Sequence, residues 1–430
     1  MLSVKDNLYL CQTGPHTPMG QLFRRFWLPL LLPSELPEPD CPPIRVRVLG
    51  EDLVAFRDSD GRVGFFAENC PHRGASLFFG RNEEAGLRCV YHGWKFDVEG
   101  RCVDMPSEPA ESNFKGKVRV TAYPAAEWGG LIWIYMGPKE KQPPLPLYDW
   151  CLRHQEGKID AEVHVWKWMQ DCNWVQALEG NIDTAHVTFL HRRGYTPTIG
   201  SQFGISPDQA PNVQVMPTSF GFAYGGRRTT ADGRYYWRVT PYVFPTFTSI
   251  PGPRFNGSGH FLIPRDDETS WWLVVQPNYK PREGVPPFVE LIPGTWKQTR
   301  NRDNDYLIDR ELQRSLDMEK GTGNYTGLAS NRVEDSAIIE SMGHLYDRSR
   351  EHLGTVDAAI IYMRRMMIRA ARDLERGIEP EILQHPEWFA ARPVDVVNEE
   401  PDLAPVWLAD RAAYEYRSEP LEVPVPQIEA

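Results

Sequence analysis

The chain has 430 residues, of which 41% are hydrophobic and 24% charged, and its formal net charge is -11. This length is enough for two or three domains with sizeable cores. The acidic balance argues against nucleic acid as a partner, and no apolar run reaches the ~20 residues of a transmembrane helix, so we expect no membrane association.

Residues 1–43 are predicted to form an N-terminal arm. Residues 20–27 have the pattern of a short amphipathic helix, and prolines from Pro29 to Pro43 then interrupt the chain. Lys5 and Asp6 interrupt the first apolar stretch, so it does not have the pattern of a signal peptide.

Residues 44–150 have the pattern of a small all-β domain. Apolar and polar residues alternate from Ile44 to Arg57 around Gly50, which predicts a hairpin. Further short strands are predicted at 63–69, 118–120 and 130–136, and residues 95–104 are predicted to form a second hairpin that turns at Glu99 and Gly100. A proline-rich stretch at 138–146 is the expected exit from this domain.

Residues 151–384 are predicted to form a second domain, an antiparallel sheet with helices to one side. Its predicted strands are 220–228, 235–243, 259–263 and 270–276, and its predicted helices are 174–186, 335–347 and 356–376. Residues 385–430 contain many prolines and are expected to pack on the surface as a tail. The predicted fold class is therefore α+β.

Two cysteine–histidine pairs stand in the β domain, at Cys70 and His72 and at Cys89 and His92. Two thiolates and two imidazoles suit either a tetrahedral zinc site or a [2Fe–2S] centre with two histidines on one iron. The Cys-x-His spacing is tighter than the usual zinc half-site, which favours the iron–sulfur centre. Glycines near both pairs indicate two tight loops that clamp it.

A second candidate metal site lies at Asp183, His186 and His191. On a continuous helix Asp183 and His186 share a face, but His186 and His191 are about 140° apart. Both histidines reach one metal only if the helix widens or ends between them. Alone, they read as helix-end histidines near a core, although two histidines and one carboxylate are also the ligand set of non-haem iron oxygenases.

The patterns Cys-x-His-x16-Cys-x2-His and Asp-x2-His-x4-His together resemble the large (alpha) subunits of the Rieske non-haem iron ring-hydroxylating oxygenases. Residues 17–27 and 347–357 are similar to the phthalate dioxygenase branch. The resemblance implies an N-terminal Rieske [2Fe–2S] domain, a catalytic domain with mononuclear Fe(II), and electrons from NAD(P)H through a separate flavin and iron–sulfur reductase. It implies cis-dihydroxylation or O-demethylation of an aromatic, in particular an aromatic carboxylate, with O2 in aromatic catabolism.

The same resemblance assigns individual residues. Asp335 is carried over as the third iron ligand, with Asp347 and Asp357 as alternatives that we expect instead to pair with arginines on the surface. Asp183 is expected to link a cluster histidine of one subunit to an iron histidine of the next. That link requires a head-to-tail homotrimer, or two stacked trimers that form a hexamer.

Three further residues are predicted to contact the substrate. Thr184 follows the bridging aspartate, and Arg228 and Arg238 lie in predicted strands where they are candidates for binding a carboxylate. Two other classes stay open, an electron-transfer protein with a Rieske centre but no oxygenase activity and a zinc-stabilised binding module.

The cysteines outside the motifs predict the compartment. Five remain once Cys70 and Cys89 are assigned as ligands, and they read as reduced, mostly buried small residues. A cytoplasmic location is therefore expected.

Overall fold

The computed structural model describes residues 2–109, 111–155, 163–191, 208–252, 255–277, 289–317 and 323–413. The chain divides into two compact units. The small unit comprises Gln12–Leu145 and Ile263–Asp267, and the large unit comprises Met1–Cys11, Pro146–Leu262 and Glu268–Ala430. These boundaries differ from the predicted domains, since most of the predicted arm lies in the small unit and its first helix lies in the large one.

The helices of the described chain are α1 Val4–Cys11, α2 Pro18–Phe23, α3 Asp149–Gln155, α4 Trp174–Ile182, α5 Arg310–Arg314, α6 Asn331–Ser341, α7 Ala358–Glu375 and α8 Leu403–Ala413. The strands of the small unit are β1 Trp27–Leu31, β2 Ile44–Val48, β3 Glu51–Arg57, β4 Val63–Ala67, β5 Arg81–Glu83, β6 Gly86–Arg88, β7 Lys95–Phe96, β8 Cys102–Asp104, β9 Ala122–Tyr123, β10 Ala125–Trp128 and β11 Leu131–Tyr135. The strands that follow along the chain are β12 His164–Gln170, β13 Asn212–Thr218, β14 Gly221–Thr229, β15 Tyr235–Val243, β16 Phe247–Gly252, β17 Phe255–Pro264, β18 Ser270–Gln276 and β19 Val394–Asn398.

The small unit contains three antiparallel sheets, with strand orders β1-β11-β10, β2-β3-β4-β9 and β5-β6-β7-β8. The predicted hairpin is β2 and β3, where Val48 pairs with Glu51. The two residues between them, Leu49 and Gly50, have φ of 49° and 76°, as a tight hairpin turn requires. A core that includes Phe56, Phe66 and the Cys70 and Cys89 side chains lies beneath the candidate cluster loops.

The large unit is built on an eight-stranded antiparallel sheet with the order β12-β18-β17-β16-β15-β14-β13, and β19 pairs with β15. The sheet and its helices confirm the α+β prediction. The predicted tail differs from the structure, because Val394–Asn398 forms a strand whose residues pair with Tyr235–Val239 of β15. Residues 414–430 of that tail lie outside the described residues.

Buried charges hold α4 against α7 and the loop before it. The Glu179 carboxylate accepts hydrogen bonds from Arg348 at 2.9 Å and from Arg364 at 2.6 Å, and Arg364 also pairs with Glu351. Burial alone would raise the pKa of Glu179, but the two guanidinium groups lower it below its usual range. The charged network therefore fixes α4 one turn before Asp183.

The expected surface pairs of Asp347 and Asp357 with arginines are not what the structure shows. Asp347 accepts hydrogen bonds from the backbone and hydroxyl of Ser349. Asp357 accepts one from the Gly354 backbone at 2.6 Å. Both carboxylates cap local turns, which places them in structural roles.

In the part of the chain that the structure describes, no helix is both long and apolar enough to cross a membrane.

Candidate metal centres

Two loops of the small unit repeat one backbone conformation. Cys70 and Cys89 each donate their N–H to the carbonyl five residues later, at 2.8 Å in both loops. Gly74 and Gly93 each donate to the carbonyl of the cysteine four residues earlier, at 2.9 Å. These glycines have φ of 74° and 79°, which other residues rarely adopt. The loops are therefore a matched pair, as the two motifs predicted.

The cysteine and histidine side chains of these two loops differ in position. The Cys70 and Cys89 thiols are each 3% exposed, whereas the imidazoles of His72 and His92 lie together at the rim with ring centroids 4.4 Å apart. Burial raises the pKa of Cys70 to about 11, and the neighbouring Cys89 thiol adds to the rise. A metal would displace these protons, because a coordinating thiol is deprotonated.

A single zinc ion does not fit this arrangement. Four tetrahedral ligands of one zinc lie within about 4 Å of one another. Among the described residues, sets of three donor atoms within 4.8 Å of one another occur only at His186, His191 and Asp335. Two cysteines on one side and two histidines on the other instead match a [2Fe–2S] cluster with a different ligand pair on each iron.

The second candidate site begins where α4 ends. The helix stops at Ile182, Asp183 has extended backbone angles of -63° and 124°, and His186 opens a short 3-10 helix, His186–Thr188. The prediction that Asp183 and His186 share a helical face was therefore wrong, because α4 ends before Asp183. The 3-10 helix then ends at Thr188, so a helix end also lies between the two histidines. This early break turns the following segment so that His186 and His191 meet.

Three donor atoms converge there. The Nε2 atoms of His186 and His191 are 3.2 Å apart, and Asp335 Oδ1 lies 3.7 Å and 3.2 Å from them respectively. Ligand atoms about 2.1 Å from one ion at right angles lie about 3.0 Å apart, so the spacing fits a single metal. Two imidazoles and one carboxylate on one side of an ion form the ligand set of non-haem iron oxygenases.

The charges at this site favour a cation. Burial alone would raise the pKa of Asp335, but the hydrogen bond with His191 and the charge of Arg332 hold it at about 2. Burial alone would lower the pKa of His191, but Asp335 and Glu334 raise it to about 9. A proton or a metal ion is therefore stabilised between these carboxylates and the imidazole.

The end of α4 is anchored to the sheet by neutral hydrogen bonds. His260 of β17 donates from Nδ1 to Asn181 Oδ1 at 2.8 Å, and its Nε2 accepts from the Ser258 hydroxyl at 3.0 Å. Burial lowers the pKa of His260 well below its usual value, so the ring is neutral. The contact fixes the last turn of the helix that leads into Asp183.

The predicted substrate residues lie on one face of the sheet, beside this site. Arg228 donates from Nη2 to the backbone carbonyl of Thr184 at 2.8 Å, so it holds the segment that carries His186. Thr184 packs against Gly226, where a Cβ atom would come within 2.8 Å of its methyl group. Arg238 pairs directly with Gly226 across the strands, and residues opposite each other point to the same face.

Comparisons with known proteins identify the family of this chain. Residues 26–124 match the model of the Rieske [2Fe-2S] domain, and residues 134–388 match the LigXa C-terminal domain like model. The chain is 39% identical over 398 residues to the phthalate 4,5-dioxygenase oxygenase subunit of Pseudomonas putida, and the match covers 88% of both chains. This chain belongs to the Rieske non-haem iron oxygenases.

Further matches support the assignment. The 3-chlorobenzoate-3,4-dioxygenase oxygenase subunit of Comamonas testosteroni is 36% identical over 91% of this chain and 94% of its own. The structure of dicamba monooxygenase bound to dicamba has a TM-score of 0.55 at 19% identity, over 82% of this chain and 98% of that one. The fold is shared, and the alternative of an electron carrier without oxygenase activity is not favoured.

Membership of the family gives the cofactors. A Rieske oxygenase uses a [2Fe–2S] cluster, a mononuclear iron, O2, and electrons that reach it from NAD(P)H through a separate reductase. The zinc-module alternative is excluded by the same finding and by the separation of the cysteines from the histidines.

Sequence reasoning missed Glu334, which contacts His191 at the candidate iron site of this Rieske oxygenase. Its carboxylate is fully buried, lies 2.8 Å from His191 Nδ1, and accepts a hydrogen bond from the Thr326 hydroxyl at 2.7 Å. A carboxylate on the outer nitrogen of a metal-binding histidine fixes its tautomer and raises its basicity. The available signal was an acidic pair, Glu334 and Asp335, within a helix of buried neighbours.

Replacing Glu334 by Gln should weaken metal binding at the His186, His191 and Asp335 site by about 10- to 100-fold. Glutamine keeps the shape and a hydrogen bond but loses the charge that makes His191 a stronger donor. The measurement is an Fe(II) titration of protein whose cluster is intact. Ser336→Ala is the control, because Ser336 is buried on the same helix and bonds Gln298 instead. Equal affinity in Glu334→Gln and the parent protein would contradict this role.

Proposed function

We propose that this Rieske oxygenase hydroxylates an aromatic carboxylate that Arg238 binds beside the mononuclear iron. The observation that carries the proposal is the position of Arg238. Its strand register places it opposite Gly226, against which Thr184 packs, and its buried Nε atom has no hydrogen-bond partner. Arg238 is half-buried, and a guanidinium group with an unused donor matches a carboxylate, which it binds through charge-assisted hydrogen bonds.

The proposal gives each remaining residue a role. Cys70, His72, Cys89 and His92 hold the cluster, and His186, His191 and Asp335 hold the iron. When bound, the two centres supply electron transfer and O2 activation. Thr184 borders the substrate, and Arg228 holds the backbone of that segment in place. The protein positions the aromatic and excludes water, while the metals carry the redox chemistry.

Asp183 is proposed to connect the two centres across a subunit boundary. Its Oδ2 lies 3.4 Å from His186 Nδ1, and the side chain is 25% exposed, so a second histidine from another copy has access to it. His72 is exposed in the small unit. A head-to-tail trimer, alone or stacked as a hexamer, would bring these residues of different copies together. A separate flavin and iron–sulfur reductase would supply the electrons.

A cytoplasmic location is part of the same proposal. All seven cysteines lie in the described residues, and none of them forms a disulfide. Reduced cysteines are typical of a reducing compartment.

The test of the proposed substrate class is O2 uptake with a panel of aromatics. The reconstituted oxygenase and a flavin-dependent iron–sulfur reductase should couple NADH oxidation and O2 uptake to phthalate or chlorobenzoates, with a cis-dihydrodiol as product. The matching aromatic amides, which lack the charge, should be poor substrates. Release of formaldehyde from methoxybenzoates would instead show that the reaction is O-demethylation and not dihydroxylation. Coupled turnover of amides as fast as acids would overturn the carboxylate proposal.

Replacing Arg238 by Ala should raise KM for the aromatic acid by about 10- to 150-fold, since a charge-assisted pair contributes roughly 1.5–3 kcal/mol. Steady-state kinetics measures the effect. Arg234→Ala is a matched control on the same hairpin, because Arg234 is exposed and pairs with Asp232. An unchanged KM in Arg238→Ala would place the carboxylate contact elsewhere.

A further inference from the structure

One buried cation beside the iron site has no role in the function described so far. Arg332 lies on α6, one turn before Asp335, and is 8% exposed. Its guanidinium carbon lies 5.2 Å from the ring centroid of Trp168 and 4.6 Å from that of Trp272. These indoles stand opposite each other on β12 and β18 and stack at 5.2 Å. Aromatic faces attract a desolvated guanidinium group, so the sheet holds this charge at a defined point.

Arg332 forms an ion pair with the second oxygen of Asp335, which is not the oxygen nearest the histidines. Asp335 Oδ1 is directed to the Nε2 atoms of His186 and His191, at 3.7 Å and 3.2 Å. The other oxygen, Oδ2, lies 3.4 Å from Arg332 Nη1. The two oxygens of one carboxylate are therefore divided between the metal site and the guanidinium group.

We propose that Arg332 is a positioning residue that restricts Asp335 to binding the metal through Oδ1 alone. The inference rests on the proposed ligand set. A carboxylate that binds through both oxygens occupies one more position around the ion than a carboxylate that binds through one. By engaging Oδ2, Arg332 keeps that position available to ligands from outside the protein.

The positive charge of Arg332 determines whether its removal should strengthen or weaken metal binding. A divalent ion is already balanced by the two carboxylates of Asp335 and Glu334. The guanidinium group adds a positive charge close to it, which disfavours retention of the metal. Removing that charge and freeing Oδ2 should both tighten binding. If Arg332 served only to pack against the two indoles, its removal would loosen the site instead.

The experiment uses the full chain with its cluster intact and Co(II) at the mononuclear site. X-ray absorption at the cobalt edge counts the ligands of cobalt without interference from cluster iron, and release into a chelator gives the dissociation rate. In Arg332→Met, which keeps an apolar stem against the two indoles, we expect one additional oxygen ligand and cobalt release slower by about tenfold. Arg332→Lys, which keeps the charge, should resemble the parent protein in both measurements.

Other outcomes distinguish a failure of the role of Arg332 from a failure of the proposed ligand set. An unchanged ligand count in Arg332→Met, or release as fast as or faster than in the parent protein, would overturn the role of Arg332. Arg332→Gln must show the same changes as Arg332→Met, and it serves as the test if the Met variant does not fold. Equal cobalt binding in the parent protein and Asp335→Ala would instead overturn the ligand set on which this inference rests.

Discussion

Replacing Asp183 by Asn should slow electron delivery from the cluster to the iron by about 100-fold or more, while both metal centres stay loaded. Burial alone would raise the pKa of Asp183, but its hydrogen bond with His186 lowers it, so the carboxylate is charged. Asparagine keeps the size but cannot hold two imidazole N–H groups through a negative charge. Turnover should therefore collapse although the substrate still binds.

Single-turnover kinetics on pre-reduced protein measures this effect. After mixing with substrate and O2, cluster reoxidation should stall in Asp183→Asn. Asp171→Asn is a matched control, since Asp171 also lies 3.4 Å from a histidine, His344, outside the proposed route. Reoxidation at the parent rate in Asp183→Asn would show that electrons take another path, and the head-to-tail assembly would lose its main support.

Replacing Cys89 or His92 by Ala should remove the cluster and all NADH-driven turnover, because a methyl group cannot replace a thiolate or imidazole ligand. The mononuclear iron should still load. Cys102 provides a matched control, because this thiol is buried in the same core as Cys70 and Cys89 but lies outside both motifs.

The visible spectrum gives the result of this comparison. Cys102→Ala should keep the red-brown colour, and Cys89→Ala and His92→Ala should lose it. A Rieske spectrum that persists in either ligand variant would refute the cluster assignment.

Local chemistry allowed the candidate metal-site residues to be predicted. Ligand types and spacings are visible directly in the sequence, so the four residues of the proposed cluster site and both histidines of the proposed iron site were predicted together. A glycine stands four residues after each cysteine of the two motifs, and this indicated a backbone conformation that few other residues adopt. The hairpin at Gly50 was predictable for the same reason.

Strands next to prolines were harder to predict. Pro29 lies within β1, where the sequence indicated a broken arm. In the structure β1 is an edge strand, and its register shifts between Pro29 and Leu31. Proline is tolerated at sheet edges and bulges, where a backbone N–H is not needed. Composition alone could not show that β11 would pair with this segment along its other edge.

Charged residues without an obvious pattern were missed because burial depends on tertiary contacts. Glu334 and Arg332 look like the polar face of an ordinary helix, yet both are buried, one by His191 and one by two indoles. The end of α4 at Ile182 was also missed, since apolar periodicity continues past it. The helix end follows from the anchored side chains around it, and these come from distant parts of the chain.

We expect one chain to carry both a Rieske cluster and a separate mononuclear iron. Iron and acid-labile sulfide analysis of the purified protein and of Asp335→Ala measures both centres at once. About three iron and two sulfide are expected per parent chain, and about two iron with unchanged sulfide in Asp335→Ala. About two iron in both proteins, or iron in Asp335→Ala equal to the parent value, would contradict this expectation.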